Sequence, residues 1–251
     1  MEPRPDVTSP RLSVIVPCFN EEARLVPSLE RLDAWLRDNV EGGYEILAVN
    51  DGSSDHTVDL IRSLCGRFEH LRLVDNPTNE GKGYAVRTGM LAAHGDIRIF
   101  TDADLATPPE EIGRLLEALE RAPVAIGTRV HPDGSDMRSG SQTSSRRLLG
   151  RLFTAVASPL VGPGVPDTQC GFKGFHADAA QRIFTTLRTR GFVFDIEVLC
   201  LARRAGLPIA QVPVRWRDPG GSRLQVRSSL VVRTFLELGR IWWRLRRMPR
   251  R

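Results

Sequence analysis

Two carboxylates, Asp102 and Asp104, stand two residues apart where the apolar run from Ile97 to Thr101 gives out. Two hard oxygen donors at that spacing suit Mg²⁺ or Mn²⁺, whose shell is completed by substrate phosphates and water. Period-two alternation at a strand end would put both carboxylates on one side. A cation held there would neutralise charge building on a departing nucleoside diphosphate. Alone, an Asp-x-Asp is a weak signal that favours the plainer reading, with Asp104 as the cap of the next helix and Asp102 as the end of a strand. Other polar residues at strand ends tip the balance towards chemistry. Asp51 lies in the tight loop Asn50-Asp51-Gly52-Ser53, where its carboxylate either accepts from the imide N–H of a uracil, closes an Asx-turn, or does both. Gly81-Lys82-Gly83 suits a phosphate, yet position 86 is Val and no GxxxxGK[ST] pattern is present, which argues against a dehydrogenase and a P-loop NTPase.

The elements that must position these residues alternate. Leu12–Val16, Tyr44–Val49, Leu71–Val74, Ile97–Thr101 and Val124–Thr128 read as strands. Between them, helices are expected from Glu21 with Asn20 as cap, over Asp55–Cys65, over Gly83–Ala93, and from Pro108-Pro109 to about Glu120. Strand and helix alternate without a hairpin signal, so the first half is expected to be a parallel sheet wrapped by helices. Ligands bind such sheets at the carboxyl ends of the strands, where Asn20, Asp51, Asp102 and Asp104 all fall. The second half is less regular. Residues 131–145 read as a polar loop over the site, Ser145–Leu160 as helical, and Asp167–Phe175 as containing a strand. Asp195–Ala205 reads as a helix and Ile209–Trp216 as an edge strand. No repeat or linker divides the chain, which is expected to comprise a tail over 1–10, a catalytic domain over 11–227 and a basic amphipathic helix over 228–251.

The totals exclude several classes. The chain has 251 residues, a net charge of +5 and 41% hydrophobic residues, enough for one folded core. The N-terminus carries no cationic-then-apolar signal pattern, and no stretch approaches the roughly 18 apolar residues of a membrane span. Cys18, Cys65, Cys170 and Cys200 form no CxxC pair, which argues against a zinc site and for a reducing compartment. Net positive charge favours an anionic partner, but no basic stripe interleaved with aromatics points to nucleic acid.

Three segments carry a resemblance: Val14-Ile15-Val16-Pro17-Cys18-Phe19-Asn20-Glu21-Glu22, Val49-Asn50-Asp51-Gly52-Ser53-Ser54-Asp55, and Asp102-Ala103-Asp104. Together they resemble family 2 glycosyltransferases, and the resemblance implies an α/β GT-A fold with a mostly parallel central sheet flanked by helices. Asn79-Glu80-Gly81-Lys82-Gly83, the continuation Leu105-Ala106-Thr107-Pro108, Asp167-Thr168-Gln169-Cys170-Gly171-Phe172-Lys173 and Phe194-Asp195-Ile196-Glu197 look like the branch that includes dolichyl-phosphate β-glucosyltransferases and bacterial polyprenyl-phosphate relatives. The resemblance spans about residues 11–225. It implies that Pro17, Phe19, Glu21, Asp51, Lys82, Asp102 and Ala103 hold the nucleotide-sugar, and that Asp102 and Asp104 bind the metal. Ala106 replaces a Gln that helps bind metal in related mannose synthases. This fits UDP-glucose as donor and leaves GDP-mannose as the alternative.

The implied reaction is an inverting in-line displacement by a lipid phosphate at the cytoplasmic face of a membrane. A phosphate monoester is largely dianionic at neutral pH, so cations matter more than a strong base. Arg129, Arg146, Arg147, Arg223 and Lys173 are the candidates for the acceptor phosphate. Asp195, Arg129 and Arg223 join the acidic pair as candidates for catalysis, with Asp195 and Glu197 reading also as acids of a helix start. Beyond residue 228, Val231, Phe235, Leu238, Trp242 and Leu245 recur on one helical face, opposite a set of arginines. That stripe fits a helix in an anionic membrane interface, one docked on a membrane protein, or one packed on its own core. Rival readings are an enzyme with a soluble acceptor such as a small phosphorylated acid, and a non-catalytic nucleotide-sugar binder.

Overall fold

The computed structural model describes residues 10–130, 157, 159–217 and 228–248. Seven strands form one sheet: β1 (Leu12–Cys18), β2 (Tyr44–Asp51), β3 (Leu71–Asn76), β4 (Ile97–Phe100), β5 (Val124–Thr128), β6 (Lys173–His176) and β7 (Ile209–Pro213). Their order is β3-β2-β1-β4-β6-β5-β7. All pairings are parallel except those of β6, which runs antiparallel to both β4 and β5. The chain walks outward from β1 to β3 and then returns to place β4 on β1's other side. That reversal opens a crevice beyond the carboxyl ends of β1 and β4.

Helices α1 (Leu25–Asn39), α2 (Thr57–Cys65) and α4 (Glu111–Leu119) cover one face, and α3 (Lys82–Ala92), α5 (Ala177–Thr186), α6 (Phe194–Arg204) and α7 (Ser228–Arg247) the other. Alternation along β1 explains the two cores. Leu12, Val14 and Val16 meet α1 residues such as Leu29 and Leu32, while Ile15 meets Val86 and Met90 of α3. Strand β2 is buried at every position, as a central parallel strand should be.

Several expectations shift. Helix α1 begins at Leu25, not Glu21, and Asn20 does not cap it. Asn20 turns at φ +55° and accepts from the Ser54 N–H at 2.8 Å, tying the β1 loop to the β2 loop. Helix α4 starts at Glu111, after one turn beyond the two prolines. The strand expected in Asp167–Phe175 is β6, displaced towards His176, and α5 follows it in a stretch where no helix was expected. Strand β7 lies at the sheet edge but ends at Pro213. The tail, the polar loop and most of the helix expected over Ser145–Leu160 lie outside the described residues, as do Arg146, Arg147 and Arg223.

Candidate active site

The acidic pair does not sit on a strand. Strand β4 ends at Phe100, so period-two alternation does not place Asp102 and Asp104. A tight turn does: the Leu105 N–H donates to the Asp102 carbonyl at 3.0 Å, and Leu105 takes a left-handed φ of +47°. Within it, Asp104 accepts from the Ala106 N–H at 3.0 Å, so it caps its own turn and not α4. The turn is fastened to the segment after β7, where the Arg217 N–H donates to the Ala106 carbonyl at 2.9 Å.

Asp102 has company on two sides. Lys82, at the first turn of α3, makes an ion pair with it. Gly171 lies against its other side so closely that a Cβ there would come within 2.2 Å of Asp102 Oδ2. Asp104 faces the Arg24 guanidinium at 3.8 Å, and Arg24 is paired in turn with Glu21. Burial, reinforced by the Asp102 charge, raises the Asp104 carboxyl above the usual carboxylate range. Burial works against the Lys82 ammonium, but Asp102 and Asp195 outweigh it and raise its value.

Asp51 closes β2 and reaches across to the loop before α3. One oxygen accepts from the Glu80 N–H at 3.0 Å and the other from the Gly81 N–H at 3.0 Å. These bonds pull Asp51's pKa down, yet burial, the larger effect, leaves it raised. The carboxylate therefore braces the Gly81-Lys82 loop. It is Asn50, not Asp51, that closes the local turn, through the Ser53 N–H at 2.9 Å. Gly81 adopts φ +105°, with its missing side chain facing the Arg190 carbonyl, a position only glycine fills without strain. Phe19 is 44% exposed at the rim beyond β1, with Pro17 half-buried behind it and Glu21 between the rim and Arg24.

Beneath the pair lies a second layer of charge. Lys173 is 0% exposed and donates to Asp195 at 2.6 Å and to the Cys170 carbonyl. It is a buried counter-charge and does not reach the surface of the site as an acceptor-phosphate ligand would. Burial raises the Asp195 carboxyl, while Lys173 and Lys82 pull it down. Arg129, just past β5, forks onto Asp167 with bonds of 2.7 and 2.8 Å and packs on the Trp216 ring. The Arg129 guanidinium holds Asp167 at about 2. Glu197, buried in the first turn of α6, accepts from the Thr189 N–H and from Arg244 of α7. Burial pushes the Cys170 thiol up to about 11, so it stays protonated beside these groups.

Strand-end reasoning placed Asn20, Asp51, Asp102 and Asp104 beside one crevice, and the resemblance added Lys82, which pairs with Asp102, and Asp195, which lies buried beneath them. Sequence reasoning missed Arg24, whose i,i+3 spacing from Glu21 was a usable signal, and Gly171, whose role depends on a contact 69 positions away. It placed Arg244 among the arginines on the polar face of the C-terminal helix and missed its inward bond to Glu197, for which no sequence signal exists.

A divalent cation fits this turn. Burial and the neighbouring Asp102 charge raise Asp104, a cost that a cation would relieve, and the described residues offer no cluster of three His, Cys, Asp or Glu that would complete a protein-only cage. Ligand phosphates and water would complete the shell.

An acidic turn, in place of a glycine-rich phosphate fingerprint, occupies the crevice where the strand order reverses, in a mostly parallel seven-stranded sheet whose GT-A-like architecture is shared with solved glycosyltransferases. Residues 13–184 match Glycosyl transferase family 2, and the chain belongs to that family and is a glycosyltransferase. It is 36% identical to the dolichyl-phosphate beta-glucosyltransferase of Dictyostelium discoideum, over 88% of this chain and 70% of the relative. Identity is 37% to that of Drosophila melanogaster and 32% to that of Homo sapiens, each over 87% of this chain and 71% of the relative. Among solved structures, glucosyl-3-phosphoglycerate synthase from Mycobacterium tuberculosis superposes with a TM-score of 0.67 at 21% identity, covering 96% of this chain and 82% of that one. The same enzyme in complex with Mn²⁺, UDP and glucosyl-3-phosphoglycerate gives 0.63 at 23% identity, covering 91% and 80%. At these identities the likeness concerns the fold.

Proposed function

We propose that this chain is an inverting hexosyltransferase that moves glucose from UDP-glucose onto a polyprenyl or dolichyl phosphate at the cytoplasmic face of a membrane. The observation that carries the reading is the likeness, over 87% of the chain, to relatives named dolichyl-phosphate beta-glucosyltransferase.

The geometry supports roles for particular residues. Asp51 braces the Gly81-Lys82 loop and keeps carboxylate lone pairs for the N–H of a uracil. Pro17 and Phe19 offer an apolar rim to the base, with Glu21 and Ala103 alongside. Lys82, charged and fixed by Asp102, stands at the start of α3, where the helix N-terminus also favours phosphate. Asp102 and Asp104 would hold Mg²⁺ or Mn²⁺, which neutralises charge on the departing diphosphate. Asp195 and Lys173 set the charge behind Lys82. Arg129 fixes the 167–170 segment through Asp167, so the acceptor phosphate falls chiefly to Arg146, Arg147 and Arg223.

Helix α7 would contact the membrane. Of the expected stripe, Leu238 and Leu245 pack inward with Ile241, while Phe235, Trp242 and the neighbouring Trp243 remain exposed. No helix among the described residues is long and apolar enough to cross a membrane, which fits a peripheral placement of this part of the chain.

The test is product analysis. Protein incubated with UDP-glucose, polyprenyl phosphate and Mn²⁺ should yield a hexosyl polyprenyl phosphate that β-glucosidase cleaves. A product formed only from GDP-mannose would overturn the sugar, and an α-linked product would overturn inversion.

A further inference from the structure

A site outside the donor crevice lies between the C-terminal ends of α6 and α7. There an open groove of about 450 Å³ has Leu160 and Leu245 in its floor, Arg203 and Arg204 of α6 on one wall, and Trp242 and Arg246 of α7 on the other. None of the three arginines meets a carboxylate among the described residues. Arg203 donates to the Pro163 carbonyl, Arg204 to the Met248 carbonyl, and Arg246 lies 3.9 Å above the Trp242 ring. A guanidinium carries five N–H donors, so the described residues occupy only a few of theirs. Arginines in the last turns of helices also complement the helix dipole. That accounts for their sign, but not for three of them converging from two helices on one concave, apolar-floored surface.

Exposed apolar residues continue from this groove along α7. Phe235, Leu236, Trp242 and Trp243 are exposed, and Arg247 packs over Trp243. Aromatic rings beside arginines are the side-chain set of a membrane interface. Positive charge fits an anion, and the apolar floor fits an anion attached to hydrocarbon better than a free one.

We infer that this groove binds the headgroup phosphate of an anionic membrane phospholipid. Arg203, Arg204 and Arg246 meet the phosphate, and Leu160, Leu245 and Trp242 meet the apolar part below it. The inference rests on α7 lying at a membrane surface and adds a headgroup site separate from the donor and acceptor sites. Arg203 is eight residues beyond Asp195 on α6, about 12 Å along the helix axis from the buried charge layer.

The experiment is vesicle co-sedimentation of the full chain, without donor or metal, using phosphatidylcholine vesicles with and without phosphatidylglycerol. Wild-type protein should bind the anionic vesicles. Arg203→Gln/Arg246→Gln should lose on the order of thirty-fold in affinity, at about 1 kcal/mol per basic residue near the surface. Arg121→Gln/Arg182→Gln, which removes the same charge from exposed positions elsewhere, should bind as wild type does. Equal losses in the two double variants would overturn the groove in favour of general surface charge. Unchanged binding in the groove variant, or no preference of wild type for phosphatidylglycerol, would also overturn it. Arg246→Gln alone, on the exposed side of α7, carries the test if the double variant melts early. Transfer to detergent-dispersed polyprenyl phosphate is measured in parallel. The groove variant should retain it, and its absence in wild type would fault the proposed reaction without touching the vesicle result.

Discussion

Asp102 is placed by what surrounds it more than by its own chain. Gly171 leaves room for its carboxylate, and a methyl there would stand 2.2 Å from Oδ2. Gly171→Ala is therefore expected to turn Asp102 away from Lys82 and lower transfer on the order of ten-fold or more, with a much smaller change in thermal unfolding. Kinetics and calorimetry of that one variant check both halves. Asp104 has the opposite problem, a carboxyl that burial and Asp102 make harder to ionise. A proton and a divalent cation compete for it, so cation binding should weaken as pH falls through this raised value and strengthen as pH rises. Calorimetric titration with Mn²⁺ across pH should show that slope, and Asp104→Asn should bind weakly and nearly independently of pH. Asp167 titrates the other way. Arg129 holds it at about 2, so the ion pair stabilises the fold fully above the ordinary carboxylate range and loses that contribution as pH falls towards 2. The linkage is worth about 2 kcal/mol. Urea unfolding should show wild type losing stability between about pH 4 and pH 2, and Asp167→Asn starting lower and losing less.

At the scale of elements, periodicity carried the first half of the chain. Strands β1 to β5 and the helices between them follow from apolar runs and turn residues that act within a few positions, and the strand-end acids fell where a parallel sheet must bind its ligand. Geometry within the turn was not legible. Asp102 and Asp104 are held in a turn where Leu105 takes a left-handed conformation, which nothing about a leucine announces. Strand β6 was blurred because its four residues are too few to show a period, and its antiparallel direction is set by partners on either side. Long-range pairs such as Arg129 with Asp167 were out of reach for the same reason. Helix α7 shows the cost most clearly. Its sequence reads as a separate segment, yet Arg244 reaches Glu197 at 3.1 Å and Thr189 at 2.9 Å, and the neighbouring Arg190 carbonyl receives the Tyr84 N–H of α3. Arg244→Ala leaves a buried carboxylate without its cation and is expected to cost about 2 kcal/mol in stability. Because the 189–190 loop abuts Gly81, the KM for the donor should rise more than kcat falls. A change in stability alone, with KM intact, would confine α7 to a structural role.

As a whole, the molecule divides its surfaces. One end of the sheet gathers Asp51, Lys82, Asp102 and Asp104 around a crevice that suits a nucleotide-sugar, while α7 lies across the α3–α6 face and leaves its aromatic residues outward. An enzyme that joins a water-soluble donor to a lipid phosphate needs both surfaces on one body. The acceptor is the central claim, and a competition between acceptors tests it most directly. Purified protein would receive Mn²⁺ and radiolabelled UDP-glucose with polyprenyl phosphate and 3-phosphoglycerate together, and label would be counted in the organic and aqueous phases. Asp104→Ala serves as control and should lose at least a hundred-fold in transfer. The expected result is metal-dependent label in the organic phase, absent from the control. Label confined to aqueous product, from protein that turns over UDP-glucose, would contradict the lipid acceptor and make this a glycosyltransferase of soluble phosphates.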